Sequence, residues 1–390
     1  MQRDFLHYQA QTTPHPLGLE ISHAQGTYLY TRDGGKYLDF IAGVSANSLG
    51  HSHPKVLCAI ERQLHRHQHV MVYGEFVQEA PLRLARLLAQ HLPAPLETTY
   101  LVNSGAEAVE GALKLAKRVT GRREIAAAER AYHGNTQGAL SVSGHEHYKR
   151  AYRPLIPGTR FIRFNCEADL EKITEKTAAV LLETIQGAAG FICARAGYLK
   201  KVRARCDQVG ALLILDEIQS GFGRTGKLFG FQWYDIVPDI LVMGKGLGGG
   251  MPIGAFSASH KQMKLLSDNP KLGHITTFGG HPLSAAAAVA TLEEITESSL
   301  MAEALRKEAR FRQALDLPEI LELRGKGLML AAFLKDAATT RRVVRECLKR
   351  GLILFFLLYT DRALRITPPL TISDAEIDAG CAILRQVLQN

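Results

Sequence analysis

The strongest constraint on how this 390-residue chain can fold is a recurring unit, a short apolar run that ends on or just before a polar residue. Thr99-Tyr100-Leu101-Val102 precedes Asn103-Ser104-Gly105, and Val180-Leu181-Leu182 precedes Glu183. Leu212-Leu213-Ile214-Leu215 precedes Asp216, and Ile240-Leu241-Val242 leads to Lys245. From residue 54 to residue 283 such runs alternate with helix-like stretches, which predicts an α/β unit built on a mainly parallel sheet. In open parallel sheets ligands sit outside the carboxyl ends of the strands. The four polar ends therefore converge on one crevice, although they lie far apart in sequence.

The flanks read differently. Residues 26–40 alternate apolar and polar positions around Asp33-Gly34-Gly35, a hairpin pattern. Residues 284–295 form an alanine-rich helix. Beyond them the pattern predicts a smaller α+β unit, with strands at 328–334, 352–358 and 363–366 and helices at 340–350 and 374–388. The expected division is an N-terminal segment of a small domain (1–53), a large domain (54–283) and a C-terminal part of the small domain (284–390).

Composition excludes several classes. The chain is 46% hydrophobic, ample for a core, yet no run approaches the roughly 18 apolar residues of a membrane span. Its longest apolar run, 352–358, has strand length. The first sixteen residues intersperse Arg3, Asp4, His7 and Gln9 and contain no secretory apolar core. Six scattered cysteines form no paired motif, so a reduced cytoplasmic protein without disulfides or zinc is expected. The net charge of +9 raises nucleic acid as a partner. The densest basic patches (200–205 and 341–342) lack interleaved aromatics and read as solvated helix faces. His65, His67 and His69 are spaced two apart after a helical stretch, so they do not share a face and predict surface histidines rather than a metal site.

Within the crevice, Ser104 and Glu107 match a capping box opening an amphipathic helix. That can be simply a capped helix, but a helix N-terminus after a glycine turn also suits a phosphate. Gly221-Phe222-Gly223-Arg224-Thr225-Gly226 spells a dinucleotide fingerprint, and Gly221 to Lys227 nearly spells a P-loop. Leu228 stands where a P-loop needs Ser or Thr, and the residues after the glycines are poor helix formers. Asp216, at its strand end, needs a cationic partner if buried; a cationic ligand atom or a neighbouring Arg would each serve. Lys245, among glycines after an apolar strand, is either an exposed loop lysine or an enclosed amine with a lowered pKa, able to act as a nucleophile.

Taken together, Asn103-Ser104-Gly105-Ala106-Glu107-Ala108, Tyr132-His133-Gly134, Leu215-Asp216-Glu217-Ile218-Gln219-Ser220-Gly221, Gly244-Lys245-Gly246 and Thr276-Thr277-Phe278-Gly279-Gly280 resemble the class III (ω-amino) aminotransferases. These are pyridoxal-phosphate (PLP) enzymes of fold type I, and the resemblance runs from Gly26 to Leu370. It implies that Lys245 holds PLP as a Schiff base and shuttles a proton, while Asp216 pairs with the pyridine nitrogen. Gln219 would bond the ring hydroxyl side, with Tyr132 and Ile218 on the two ring faces. Ser104, Gly105 and Ala106 would hold the phosphate, joined by Thr277 from a second subunit, which implies a homodimer with shared sites. Arg365 would bind a substrate carboxylate, and Glu183 would face the substrate.

Within the class, the chain is most similar to acetylornithine and ornithine aminotransferases, which move an ω-amino group to a 2-oxo acid such as 2-oxoglutarate. Three positions depart from that pattern. Ala188 replaces the second Glu of Glu-Pro-Ile-Gln-Gly-Glu-Gly-Gly, Asn135 replaces the Arg after the aromatic-His-Gly triplet, and His281 replaces the Asn before Pro282. The alternatives are another PLP reaction (mutase, racemase or decarboxylase), a nucleotide-dependent enzyme using Gly221 to Lys227, and a non-catalytic basic binding protein.

Overall fold

The computed structural model describes residues 1–389; Asn390, the last residue of the expected C-terminal segment, lies outside them. Its centre is a seven-stranded sheet. In chain order the strands are β1 (Thr98–Val102), β2 (Glu124–Ala128), β3 (Thr159–Ile162), β4 (Thr177–Glu183), β5 (Leu212–Asp216), β6 (Ile240–Met243) and β7 (Gly254–Ala258). Their spatial order is β1-β7-β6-β5-β4-β2-β3. All the apolar runs that ended in polar residues are strands of this sheet. Strand β7 alone runs against its neighbours β1 and β6, so the sheet is mixed and mainly parallel.

The runs are continuous rather than alternating because both faces are covered. Val180, Leu182, Leu213 and Leu215 pack in one core with Leu199 and Val202 of the helix Tyr198–Val209. Ala179, Leu181, Ile214 and Val242 pack in another with Val109, Ala112 and Ala116 of the helix Gly105–Thr120. Register fixes the crevice floor, with Asp216 opposite both Glu183 and Val242.

The two ends of the chain meet in a second sheet. Tyr28–Thr31 and Lys36–Asp39 form the expected hairpin, Ile21–Gln25, which was not foreseen, extends it antiparallel to Tyr28–Thr31, and Leu352–Ile353 joins it in parallel with Lys36–Asp39. A third sheet orders Glu322–Lys326, Met329–Phe333, Thr360–Ile366 and Phe355–Leu357. The run 352–358, expected as one strand, is thus split at Leu354 between two sheets. A continuously apolar run carries no alternation that would mark such a break. The edge strand Glu322–Lys326 and the helix Leu300–Ala314 went unpredicted: the first is polar with Gly325 inside it, the second a sparse apolar pattern among charges. The helix expected at 284–295 spans Pro282–Glu297, with Pro282 in its first turn, where a missing N–H costs nothing.

Candidate active site

A cavity of about 410 Å3 opens at the carboxyl edge of the central sheet, and most of the residues singled out from sequence line it. Gly105, Ala106, Tyr132, Asn135, Glu183, Asp216, Ile218, Gln219, Lys245 and Arg365 all contribute. Ser104 lies just behind the lining, at the N-cap of Gly105–Thr120, where its hydroxyl accepts the Glu107 N–H at 3.2 Å. Thr277 is exposed and does not line the cavity of its own chain. A larger groove of about 610 Å3 lies between the helices Pro54–Leu64, Glu79–His91 and Pro282–Glu297. Four of its charged residues are tied up in pairs, Arg66 with Glu79 and Arg83 with Glu293, and it gathers no cluster comparable to Asp216, Glu183, Lys245 and Arg365.

Asp216 and Glu217 show how a strand end sorts side chains, since successive residues point to opposite faces. Asp216 is buried and faces the cavity; one oxygen accepts the Ile218 N–H at 3.0 Å and the other lies 2.7 Å from His133 Nδ1. Glu217 turns away and accepts from Ser220 Oγ at 2.7 Å and from the Gly230 and Phe231 N–H groups at 2.8 and 2.7 Å. Burial raises its pKa, and its role is to pin the loop behind the site. His133 was quoted within Tyr132-His133-Gly134 but given no part. Its own Nε2 is buried with no partner among the described residues.

Glu183 ends the strand beside Asp216 and is held by two N–H donors, Tyr132 at 3.1 Å and Gly187 at 2.9 Å. Burial nevertheless raises its pKa to about 7, with the Asp216 charge adding to the rise and His133 opposing it. Lys245 is only partly exposed, its side chain opening on the cavity with protein around it. That enclosure lowers its pKa, aided by Arg365 and offset by Asp216 and Glu183. Its φ of +43° is in the left-handed region, which costs an ordinary residue roughly 1–2 kcal/mol and is held by the surrounding turn. Arg365 is buried, its Nε lacks a partner, and burial lowers its pKa to about 10, so it stays cationic at neutral pH.

The residues present suit a phosphorylated, cationic-ring cofactor. The first N–H groups of Gly105–Thr120 have no intrahelical partners, and Gly105 and Ala106 bring that end to the cavity wall. Gly105 leaves room there for Ile218, whose Cδ1 a Cβ would meet at 2.7 Å. Gly134, at φ +128°, lets the Tyr132-His133 turn close on Ala106, which a Cβ would meet at 2.7 Å. The expected capping box is shifted by one residue: Glu107 accepts from the Asn103 N–H and side chain, at 2.8 and 2.9 Å, rather than from Ser104.

Two departures, Asn135 and Ala188, line the cavity, whereas His281 lies away from it, stacked on His69 with ring centroids 5.5 Å apart. Val44, Ile185, Phe355, Phe356 and Leu358 also line the cavity and were not foreseen as site residues. Val44 reaches it through four consecutive left-handed residues, Ala42 to Ser45, anchored by Asp39, which accepts the Ile41 and Ala42 N–H groups at 2.7 and 3.1 Å. The glycine run Gly221 to Gly226 forms turns and no helix; Arg224 within it is buried on the Leu328 and Pro368 carbonyls.

An α/β sheet with an enclosed lysine, a strand-end aspartate and a helix N-terminus at one crevice defines a PLP-dependent transaminase. The chain belongs to the class III aminotransferases: it matches the family described as Aminotransferase class-III over residues 8–388. It is 38% identical over 376 residues to the acetylornithine aminotransferase of Caldanaerobacter subterraneus subsp. tengcongensis, covering 93% of each chain. It is 39% identical over 384 residues to that of Methanocaldococcus jannaschii, covering 95% of this chain and 94% of the relative. The ornithine aminotransferase structure from Toxoplasma gondii ME49 superposes with a TM-score of 0.91 at 30% identity, covering 100% of this chain and 95% of that one.

Proposed function

We propose that the enzyme moves an ω-amino group from an acetylornithine- or ornithine-like donor to a 2-oxo acid such as 2-oxoglutarate. The observation that carries this reading is the enclosed Lys245 on one cavity with Asp216 and the cationic Arg365. PLP bound there supplies an electron sink for the carbon that bears the amino group. Lys245 would anchor the cofactor through its amine and hold the proton that moves on and off that carbon. Its lowered pKa favours the neutral, nucleophilic amine. Asp216 stabilises a positive ring nitrogen, with His133 orienting its carboxylate, and Gln219 meets the ring hydroxyl. Tyr132 and Ile218 would lie against the two faces of the cofactor ring, while Ser104, Gly105 and Ala106 would hold its phosphate. Arg365 grips a substrate carboxylate through paired hydrogen bonds. Glu183 and Asn135 face the substrate, Asn135 with neutral hydrogen bonds.

The reading extends to a homodimer in which the partner's Thr277 completes the phosphate site. Supporting it, Phe76 and Val77 stand 56% and 90% exposed on a groove that Thr276, Gly279 and Gly280 also line. Such an apolar face calls for a cover, and a second copy is the symmetric one. A reduced, cytoplasmic setting belongs to the same reading, as does the domain division 1–53, 54–283 and 284–390. Among the described residues no helix is long and apolar enough to cross a membrane.

The test is borohydride reduction of the purified yellow enzyme, then peptide mapping, with a donor-by-acceptor panel alongside. PLP should be fixed on the peptide containing Lys245, and an ω-amine donor should bleach the unreduced enzyme. A label on another lysine, or bleaching by α-amino acids alone, overturns the assignment.

A further inference from the structure

A second cleft, of about 420 Å3, shares no lining residue with the transamination cavity. Arg130, Arg324 and Arg362 line it, against a single acidic residue, Glu322. They come from three places in the fold: the turn after β2, the strand Glu322–Lys326 and the strand Thr360–Ile366. Glu322 is already engaged, since Arg324 Nε donates to one of its oxygens at 2.8 Å and Nη2 to the other.

Among the described residues Arg130 and Arg362 form no ion pair. Arg130 Nη2 donates to the Ala189 and Tyr359 carbonyls at 3.3 and 3.4 Å, and Arg362 Nη2 to the Leu334 carbonyl at 3.4 Å. These long bonds place the two guanidiniums and leave Nε and Nη1 of each without a protein acceptor. Arg324 Nη1 is close by: it would stand 3.3 Å from a Cβ on Gly190, next to the Ala189 carbonyl that Arg130 holds.

A single exposed arginine is an ordinary solvated group. Three on one concave wall repel one another, and an anion among them relieves that repulsion while gaining charge-assisted hydrogen bonds. Donors from three elements suit the three oxygens of a phosphate better than the single plane of a carboxylate. Thr360 adds a hydroxyl, and Phe333, with the Arg324 guanidinium 4.4 Å from its ring centroid, adds an apolar face.

We propose that this cleft binds a phosphate dianion, free or carried on a small ester. The site is independent of the transaminase reading, and it shares no residue with the groove assigned to a second copy.

The test is calorimetric titration of PLP-loaded holoenzyme at low salt with inorganic phosphate and with phenyl phosphate, while cofactor absorbance confirms that PLP stays bound. Wild type should bind at least one of them with a dissociation constant of about 1 mM or tighter. Arg130→Gln and Arg362→Gln should each weaken that binding at least about tenfold, and Arg362→Gln should transaminate like wild type. Phenyl phosphate bound at least about tenfold tighter than phosphate assigns the site to an ester, and equal binding assigns it to the free ion. No wild-type binding of either probe overturns the site whether or not the variants fold. So does an unchanged affinity in Arg362→Gln, which would place the anion elsewhere.

Discussion

Asp216 divides its oxygens between the Ile218 N–H and His133, so its orientation is set before any ligand arrives. Asp216→Asn keeps the shape and removes the charge. Single-turnover rates with an amino donor should fall by at least about a hundredfold while the melting temperature stays close to wild type. Near-normal rates would reduce Asp216 to a structural strand end. Glu183 gives a pH signature. Burial lifts its folded pKa from 4.5 to about 7, so the folded protein holds an extra proton between those values. Stability from the neutral carboxyl is therefore complete below the unfolded pKa and lost as pH rises through about 7. In apoenzyme, the melting temperature of wild type relative to Glu183→Gln should decline from about pH 5 to about pH 8. Parallel profiles would place the titration elsewhere. Lys245, Asp216 and Glu183 were legible because each ends an apolar run. Phe355 and Phe356 were not, because a continuously apolar run carries no alternation to say which of its side chains face the cavity.

At the scale of elements, the helix Gly105–Thr120 does two jobs through one cap. Ser104→Ala should cost about 1 kcal/mol of stability through the lost bond to the Glu107 N–H. Ser104→Asp keeps a good cap but sets a negative charge beside the phosphate. It should retain thermal stability and release PLP more readily, read by absorbance after dialysis. Equal PLP retention in Ser104→Asp and wild type would separate this N-terminus from the phosphate. The central strands were readable because burial on both faces leaves long Val-, Ile- and Leu-rich runs. The reversed direction of β7 was not, since Gly254–Ala258 pairs between two strands that sequence alone cannot order.

At the scale of the molecule, the exposed Thr277 and the shared-site reading make a complementation experiment decisive. Lys245→Ala and Thr277→Asp chains should each be inactive alone. Unfolded together and refolded, they should recover up to about a quarter of wild-type activity, because half the dimers are hybrids with one intact site each. No recovery, with hybrids present by mass, would mean each chain builds its site unaided. The meeting of the two chain ends in one sheet was only half visible: the hairpin was plain, but its partner strand is the two-residue piece Leu352–Ile353, too short to carry a pattern.

That pairing also sets a timetable. Lys36–Asp39 leaves the ribosome long before Leu352–Ile353 exists, so its open edge waits while the whole central sheet is translated. At roughly 5–20 residues per second the wait is on the order of tens of seconds. Throughout it, the nascent hairpin offers unpaired N–H and C=O groups to any other strand. Chaperone demand should therefore concentrate on the earliest segment made, and end only when the last tenth of the chain emerges.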